Sequence, residues 1–377
     1  MEKWLTTWAQ AHADMSLLCG KYQNHTVKTT VISHLNGNQI RLRLSNTEGR
    51  KPISVIQIGI QAGNTAPVPV PVNGKNEIDL LPKQTLYSDP VLTQIEEGMD
   101  ITVTMAFRGS ATSGNQLPET IFYSKSGNYA LNRRMPCAKR KLRDTLHNIM
   151  PVIPILSGIE VFTNQPKNII ACFGDSITQQ SHWTRPLGQM LQNAVIINKG
   201  IGGNQLLSDP AYKFSSMWGT AAMNRFQRDV LEETGVTDVI FALGTNDIGM
   251  ARNERALAAC SAEKLMAGLI SLNAIAKAAG LRTYIATVTP RGNSTGYHDW
   301  HEKERQSLNS LIRKSDVFDH IIDFDFVTRD PKEPAILDAP CDSGDHLHPG
   351  PIGGYRMAKE AYRILGGIEN QEEIHVS

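Results

Sequence analysis

Over the first 150 or so positions apolar and polar side chains alternate in short stretches, after which the period lengthens. His25–His34 (HTVKTTVISH) and Gln39–Ser45 (QIRLRLS) follow the period of two expected of half-buried strands, whose successive side chains point to opposite faces. Asn36-Gly37-Asn38 lies between them, and Asn-Gly is a tight-turn dipeptide, so the two runs are expected to pair as antiparallel neighbours. Ile53–Ile60, Glu77–Leu81 and Asp100–Arg108 are further strand candidates. Pro67, Pro69 and Pro71 break the pattern as at a sheet edge, because proline has no N–H to give to a ladder. A β-sandwich or jelly-roll-like layer is expected here, with Trp4 and Trp8 packing to anchor the terminus.

From Asn168 onward, short β-branched runs alternate with segments of helical period. The strand candidates are Asn168–Phe173, Ala194–Asn198, Asp238–Leu243, Arg282–Val288 and His320–Phe324. Glu254–Ala279 is the clearest intervening helix, with Leu257, Cys260, Leu265, Leu269, Leu272 and Ile275 forming its apolar stripe and Gly280 its stop. Five strand–helix units in a row imply a parallel sheet covered on both faces. Pro151, Pro154 and Pro166 punctuate the stretch between the two rhythms, and the expected division is 1–155 for the β-rich domain and 156–377 for the α/β domain.

Composition narrows the function classes. At 41% hydrophobic residues and 377 positions there is material for two cores without metals or cross-links. Lys and Arg number 38 against 37 acids, so nothing pulls the chain toward nucleic acid or an anionic membrane, and neither is expected as a partner. The cysteines, Cys19, Cys137, Cys172, Cys260 and Cys341, are odd in number and show no zinc-type spacing. MEKWLTTWAQAHADMS lacks the basic start and apolar stretch of a leader, which makes a cytoplasmic protein the expectation; a leader removed beforehand would make it secreted.

In a parallel sheet, functional residues gather at the carboxyl ends of the strands. Four segments fall there or just beyond: Gly174-Asp175-Ser176-Ile177-Thr178, Asn198-Lys199-Gly200-Ile201-Gly202-Gly203-Asn204, Gly244-Thr245-Asn246-Asp247, and Asp342–Pro349 (DSGDHLHP). Ester hydrolysis needs a hydroxyl with a base in reach, and Ser176 with His348 supplies that pair. Asp345, three residues before the histidine, is placed to fix its tautomer. The backbone N–H groups of Ser176 and Gly203 and the amide of Asn246 are the candidate oxyanion donors.

These blocks, GDSIT, NKGIGGN, GTND and DHLH, resemble the four motif blocks of the SGNH (GDSL) hydrolase superfamily in order and separation, over roughly residues 168–365. Ile177 stands where many members carry Leu. IRLRLSNTEGRKPIS in the first part is similar to bacterial SGNH esterases with a leading β-domain. The resemblance implies a flavodoxin-like three-layer α/β/α domain, Ser176 as nucleophile, and Asp345 and His348 completing a triad. It further implies Ser176, Gly203 and Asn246 as the oxyanion hole, no metal or other cofactor, and substrates from acetylated sugars to lysolipids and aryl esters.

Taken singly, each block has an ordinary structural reading, and only their conjunction at successive strand ends points to catalysis. Asp247 is expected to hold the Asn246 loop, His346 to bond locally, and Arg225 with Asp229 to form a surface or interdomain pair. Trp183 is a candidate for the substrate pocket, with a buried aromatic as the alternative. Asp342, Asp345, His346 and His348, with His298 and His301, also admit a metal-site reading. The expected activity is hydrolysis of short-chain esters, acetylated carbohydrate first. A lysophospholipase or aryl esterase, an acyltransferase on the same residues, and a non-catalytic carbohydrate-binding protein remain as alternatives.

Overall fold

A computed structural model describes residues 2–19, 23–136, 152–209 and 215–372; Cys137 and Pro151 lie outside them. The chain divides into two units, residues 1–166 with 211–219, and residues 167–210 with 220–377. The first unit therefore runs past the expected limit of residue 155. The reason is the strand Leu156–Thr163, which pairs antiparallel with both Lys3–Ala9 and Gly37–Ser45 and buries Ile159 and Val161.

Two antiparallel sheets make up most of the first unit. One orders Lys3–Ala9, Leu156–Thr163, Gly37–Ser45 and Thr85–Tyr87, and the other orders Thr120–Ser126, His25–Ile32, Asp100–Arg108, Ile53–Ala62 and Val68–Pro69. The expected hairpin is therefore corrected. His25–Ile32 pairs with Asp100–Arg108 and Thr120–Ser126, while Gly37–Ser45 belongs to the other sheet, so the Asn-Gly segment crosses between sheets. Both strands bury long apolar rows, and the pairing follows those rows rather than the turn. Trp4 packs on Phe162 at 5.3 Å with the Arg41 guanidinium over its ring.

The second unit is built on five parallel strands: Asn168–Gly174, Ala194–Gly200, Val236–Ala242, Arg282–Ala286 and His320–Ile322. In spatial order they run second, first, third, fourth, fifth, the flavodoxin-like order. Burial on both faces explains their near-continuous apolar character. On one face Ile170, Cys172, Ile240 and Tyr284 pack with Trp183, Leu187, Met357 and Ala361. On the other, Phe173 meets Phe226 and Phe241 edge to face. Trp183 is fully buried against Phe324, at 5.2 Å, which corrects its candidacy as a pocket residue: it is a core side chain. The expected helix Glu254–Ala279 is also broken. A short turn of helix, Glu254–Leu257, gives way to a 3-10 turn, and Ser261 then caps Ala262–Ala278. Gly280, at φ +80°, follows the helix end as expected.

Candidate active site

Register sets the site. Gly174 lies level with Gly200 on one side and Ala242 on the other, so three chains leave the sheet side by side: Asp175-Ser176, Ile201–Asn204 and Leu243–Asn246. Ser176 opens a short helix, Ser176–Gln179, capped by Asp175, whose Oδ1 accepts the Ile177 N–H at 3.0 Å. That helix lies hard against the end of the second strand. A Cβ on Gly200 would collide with the Gln179 nitrogen, so the close approach requires glycine there. Asn198 locks the contact, its amide donating to the Thr178 carbonyl at 2.7 Å and to Ser181 Oγ at 2.9 Å.

The structure brings Ser176, His348 and Asp345 into one line. Ser176 Oγ is 2.8 Å from His348 Nε2, and His348 Nδ1 is 2.6 Å from Asp345 Oδ2. The other carboxyl oxygen of Asp345 accepts the N–H groups of Leu347 and His348 at 3.0 and 2.8 Å. Partial burial pushes the Asp345 carboxyl up, but these N–H groups and the imidazole outweigh it and hold it down at about 2. Asp345 is thus an anion facing Nδ1, which leaves Nε2 as the lone-pair nitrogen toward Ser176. His182 Nδ1, 3.0 Å from the Pro349 carbonyl, ties the histidine loop to the chain just beyond the serine helix.

Gly203 and Asn246 close the other side. Gly203 sits at φ +75° in a turn that leaves its N–H without a protein partner among the described residues. Asn246 donates one amide N–H to the Asn204 carbonyl at 3.0 Å, which fixes the amide plane and leaves the second N–H uncommitted. Asp247 turns away and accepts the N–H groups of Leu206 and Leu207 at 2.8 to 3.1 Å, binding the two loops together. Burial pushes its carboxyl up to about 6 against those bonds.

Arg225, expected in a surface or interdomain pair with Asp229, is instead wholly buried within the second unit. Its guanidinium donates to the Lys199 and Gly174 carbonyls at 2.9 and 2.8 Å, to Asn204 Oδ1 at 3.0 Å and to Asp229 at 3.0 Å, and lies 4.1 Å over the Phe173 ring. It clamps the ends of the first two strands to the Gly203 loop. Nothing in a helical Arg with Asp at i+4 distinguishes this from a surface pair. The histidines and acids of the metal-site reading are engaged elsewhere. His346 bonds Asp342 at 2.5 Å, and His301 accepts the His298 N–H at 2.9 Å. Among the described residues no three His, Cys, Asp or Glu side chains form a group that could hold an ion.

The model of the GDSL-like lipase/acylhydrolase family matches residues 172–356, a span that holds all four loops. Residues 172–356, within the second unit, form a GDSL-like lipase/acylhydrolase domain. The chemistry of this acylhydrolase domain is therefore ester hydrolysis. Among solved structures, the chain is similar to a GDSL-like lipase from Bacteroides thetaiotaomicron, with 20% identity, a TM-score of 0.39, and coverage of 55% of this chain and 93% of that one. It is similar to a psychrotrophic esterase from Pseudoalteromonas sp., at 20% identity and TM-score 0.39, over 54% of this chain and all of that one (100%). A third is an aryl esterase from M. smegmatis, at 16% identity and TM-score 0.37, over 52% and 97%. A search of curated proteins found no match. Among the described residues, no helix is long and apolar enough to cross a membrane.

Proposed function

We propose that the hydrolase domain cleaves carboxylic esters through an acyl-serine intermediate, with short acyl groups, and O-acetyl groups on carbohydrate in particular, as its substrates. The observation that carries this reading is the unbroken line from Ser176 Oγ to His348 to Asp345, at 2.8 and 2.6 Å. In the proposed reaction Oγ attacks the ester carbonyl carbon while its proton passes to His348 Nε2. The carbonyl oxygen becomes an oxyanion between the N–H groups of Ser176 and Gly203 and the free amide N–H of Asn246, donors already fixed before charge develops. The carbon–oxygen bond to the alcohol then breaks, and the alcohol takes the proton from Nε2. A water repeats the cycle on the acyl-serine: His348 takes its proton, the carboxylic acid leaves, and Ser176 recovers its hydrogen. Asp345 stays ionised and steadies the imidazolium at each stage.

The carbohydrate part of the reading draws on the β-rich unit that precedes the hydrolase domain, because two-sheet β architectures include lectin domains. Its test is product release from an acetylated oligosaccharide, from lysophosphatidylcholine, and from each with a free sugar added as acceptor. Free acetate from the oligosaccharide is the expected dominant product. Faster release of long-chain acid, or acyl transfer to the added sugar in place of water, would contradict it.

A further inference from the structure

Asn246 sits on a helix too short to hold its own place. Thr245–Gly249 has five residues, fewer than a helix needs to persist without packing. It starts from Gly244 at φ +113°, and no side chain caps it. The uncommitted amide N–H of Asn246 serves an oxyanion only if its direction is settled before the substrate arrives. The loop after the second strand does part of this, through the Asn204 carbonyl to the Asn246 amide and through the Leu206 and Leu207 N–H groups to the Asp247 carboxylate. Those bonds engage side chains and leave the first peptide of the helix to another partner.

Arg291, on the segment that leaves the fourth strand, is that partner. Its Nη1 donates to the Thr245 carbonyl at 3.2 Å, the oxygen of the peptide bond that leads into Asn246. The same nitrogen lies against Gly249, one turn further along: a Cβ built there would stand 2.0 Å from Nη1. The guanidinium therefore spans one face of the helix, from Thr245 to Gly249. Its own pose is fixed by Ser294, whose Oγ accepts from Nε at 3.2 Å, and by the Tyr297 ring at 5.1 Å, whose hydroxyl in turn donates to Glu302 at 3.2 Å. Arg291 is buried, and burial lowers its pKa, with Tyr297, Asp175 and Asp345 opposing. Among the described residues none of its hydrogen bonds goes to a carboxylate. A charge is costly to bury in that way where an apolar side chain would pack as well, which sets Arg291 apart from a filler of space.

We propose that Arg291 is a positioning residue for the oxyanion hole: by holding the Thr245 carbonyl it sets the peptide plane that leads into Asn246, and with it the direction of the uncommitted amide N–H. The inference rests on the ester-hydrolase reading above and deepens it, by naming the residue through which the loop after the fourth strand supports the one after the third.

The test is a double-mutant cycle on p-nitrophenyl acetate, with kcat and KM measured for wild type, Arg291→Ala, Asn246→Ala and the double variant. Misplacing a reacting geometry by about 1 Å can cost on the order of 100-fold, so Arg291→Ala is expected to lower kcat ~10- to 100-fold while KM changes little. In the Asn246→Ala background the same substitution should lower kcat by no more than about twofold, because the donor it positions is already gone. Gly249→Ala displaces the guanidinium without deleting it, since the new Cβ takes the place of Nη1 at the end of a flexible side chain. It should lower kcat on its own and have no further effect on Arg291→Ala, and it decides the matter if Arg291→Ala does not fold. A kcat within about twofold of wild type in folded Gly249→Ala, or an Arg291→Ala loss that is undiminished in the Asn246→Ala background, would overturn the proposal. Asn246→Ala alone separates this from the reading beneath it. If that variant keeps the wild-type kcat, the oxyanion assignment falls and the proposal with it; if it is impaired and the two losses multiply, the positioning role alone falls.

Discussion

Asp175 precedes the serine and caps its helix, Asp345 backs its histidine, and their surroundings drive the two carboxyls in opposite directions. Asp345 is held at about 2 by N–H donors and the imidazole. Asp175 is pushed up to about 7, chiefly by complete burial, with the Ile177 N–H opposing and Asp247 adding to the rise. Asp175 Oδ2 has no hydrogen-bond partner among the described residues, and Asp175 lines a small pocket with Thr245, Thr287 and Thr289. A folded pKa above the unfolded value of about 3.9 means that the unfolded chain releases this proton first as pH rises. The stabilisation linked to that proton is thus full below pH ~4 and is lost by pH ~7. In Asp175→Asn, melting measured from pH 4 to 8 should show wild type losing Tm relative to the variant up to about pH 7 and tracking it thereafter. A difference that does not vary with pH would contradict the burial argument. Asn246→Ala, which removes one oxyanion donor, should lower kcat about 100- to 1,000-fold with a smaller change in KM in a steady-state assay. Ser176, His348 and Asp345, which the structure brings into one line, were legible as candidates because each sits in a short motif at or beyond a strand end, as do the proposed oxyanion donors Gly203 and Asn246. The state of Asp175 was not, since it depends on burial that no local pattern encodes.

At the scale of elements, the site depends on strand ends that stop level with one another and on a clamp beneath them. Arg225 joins the first strand, the second strand and the Gly203 loop in one set of hydrogen bonds, while neutralising Asp229. Arg228 and Arg225 hold the Asp229 carboxyl well down despite its burial. Arg225→Met keeps the length but leaves the Asp229 charge buried with less compensation and strips the hydrogen bonds to Gly174, Lys199 and Asn204. Breaking such a buried pair costs about 3–5 kcal/mol. Chemical denaturation should show a loss of that order, and kcat should fall with it as the Gly203 loop loosens. A loss under 1 kcal/mol would mean that Arg228 alone suffices for Asp229 and that the clamp is dispensable. All five parallel strands were readable from sequence to within two residues at each end, because burial on both faces writes an apolar run that few other elements produce. The helix before Ala278 was read as one piece across Ala258–Ser261. There the apolar spacing continues through a break, and the capping Ser261 hydroxyl is the only local mark of it. Arg225 was misplaced for a related reason: an i, i+4 ion pair has the same spacing whether its helix face meets water or Phe173.

Across the whole molecule, long-range pairing decided what local rhythm could not. Lys3–Ala9 and Leu156–Thr163 lie far apart in sequence yet are neighbours in one sheet, which is why the first unit extends to Pro166, the last of the three punctuating prolines, rather than to residue 155. The supposed hairpin failed on the same ground, each strand finding a partner outside the pair. The α/β unit escaped such errors because parallel strand–helix repeats leave few topologies open. Its site is assembled from four loops of that one unit, so the central claim concerns the hydrolase domain's own chemistry. The measurement that tests it most directly is hydrolysis of p-nitrophenyl acetate, butyrate and octanoate by wild type and Ser176→Ala, each with and without EDTA. The account predicts turnover that is fastest on acetate, indifferent to EDTA, and reduced about 10,000-fold or more by the substitution. Activity that persists in Ser176→Ala, or that EDTA abolishes in the wild type, would contradict it.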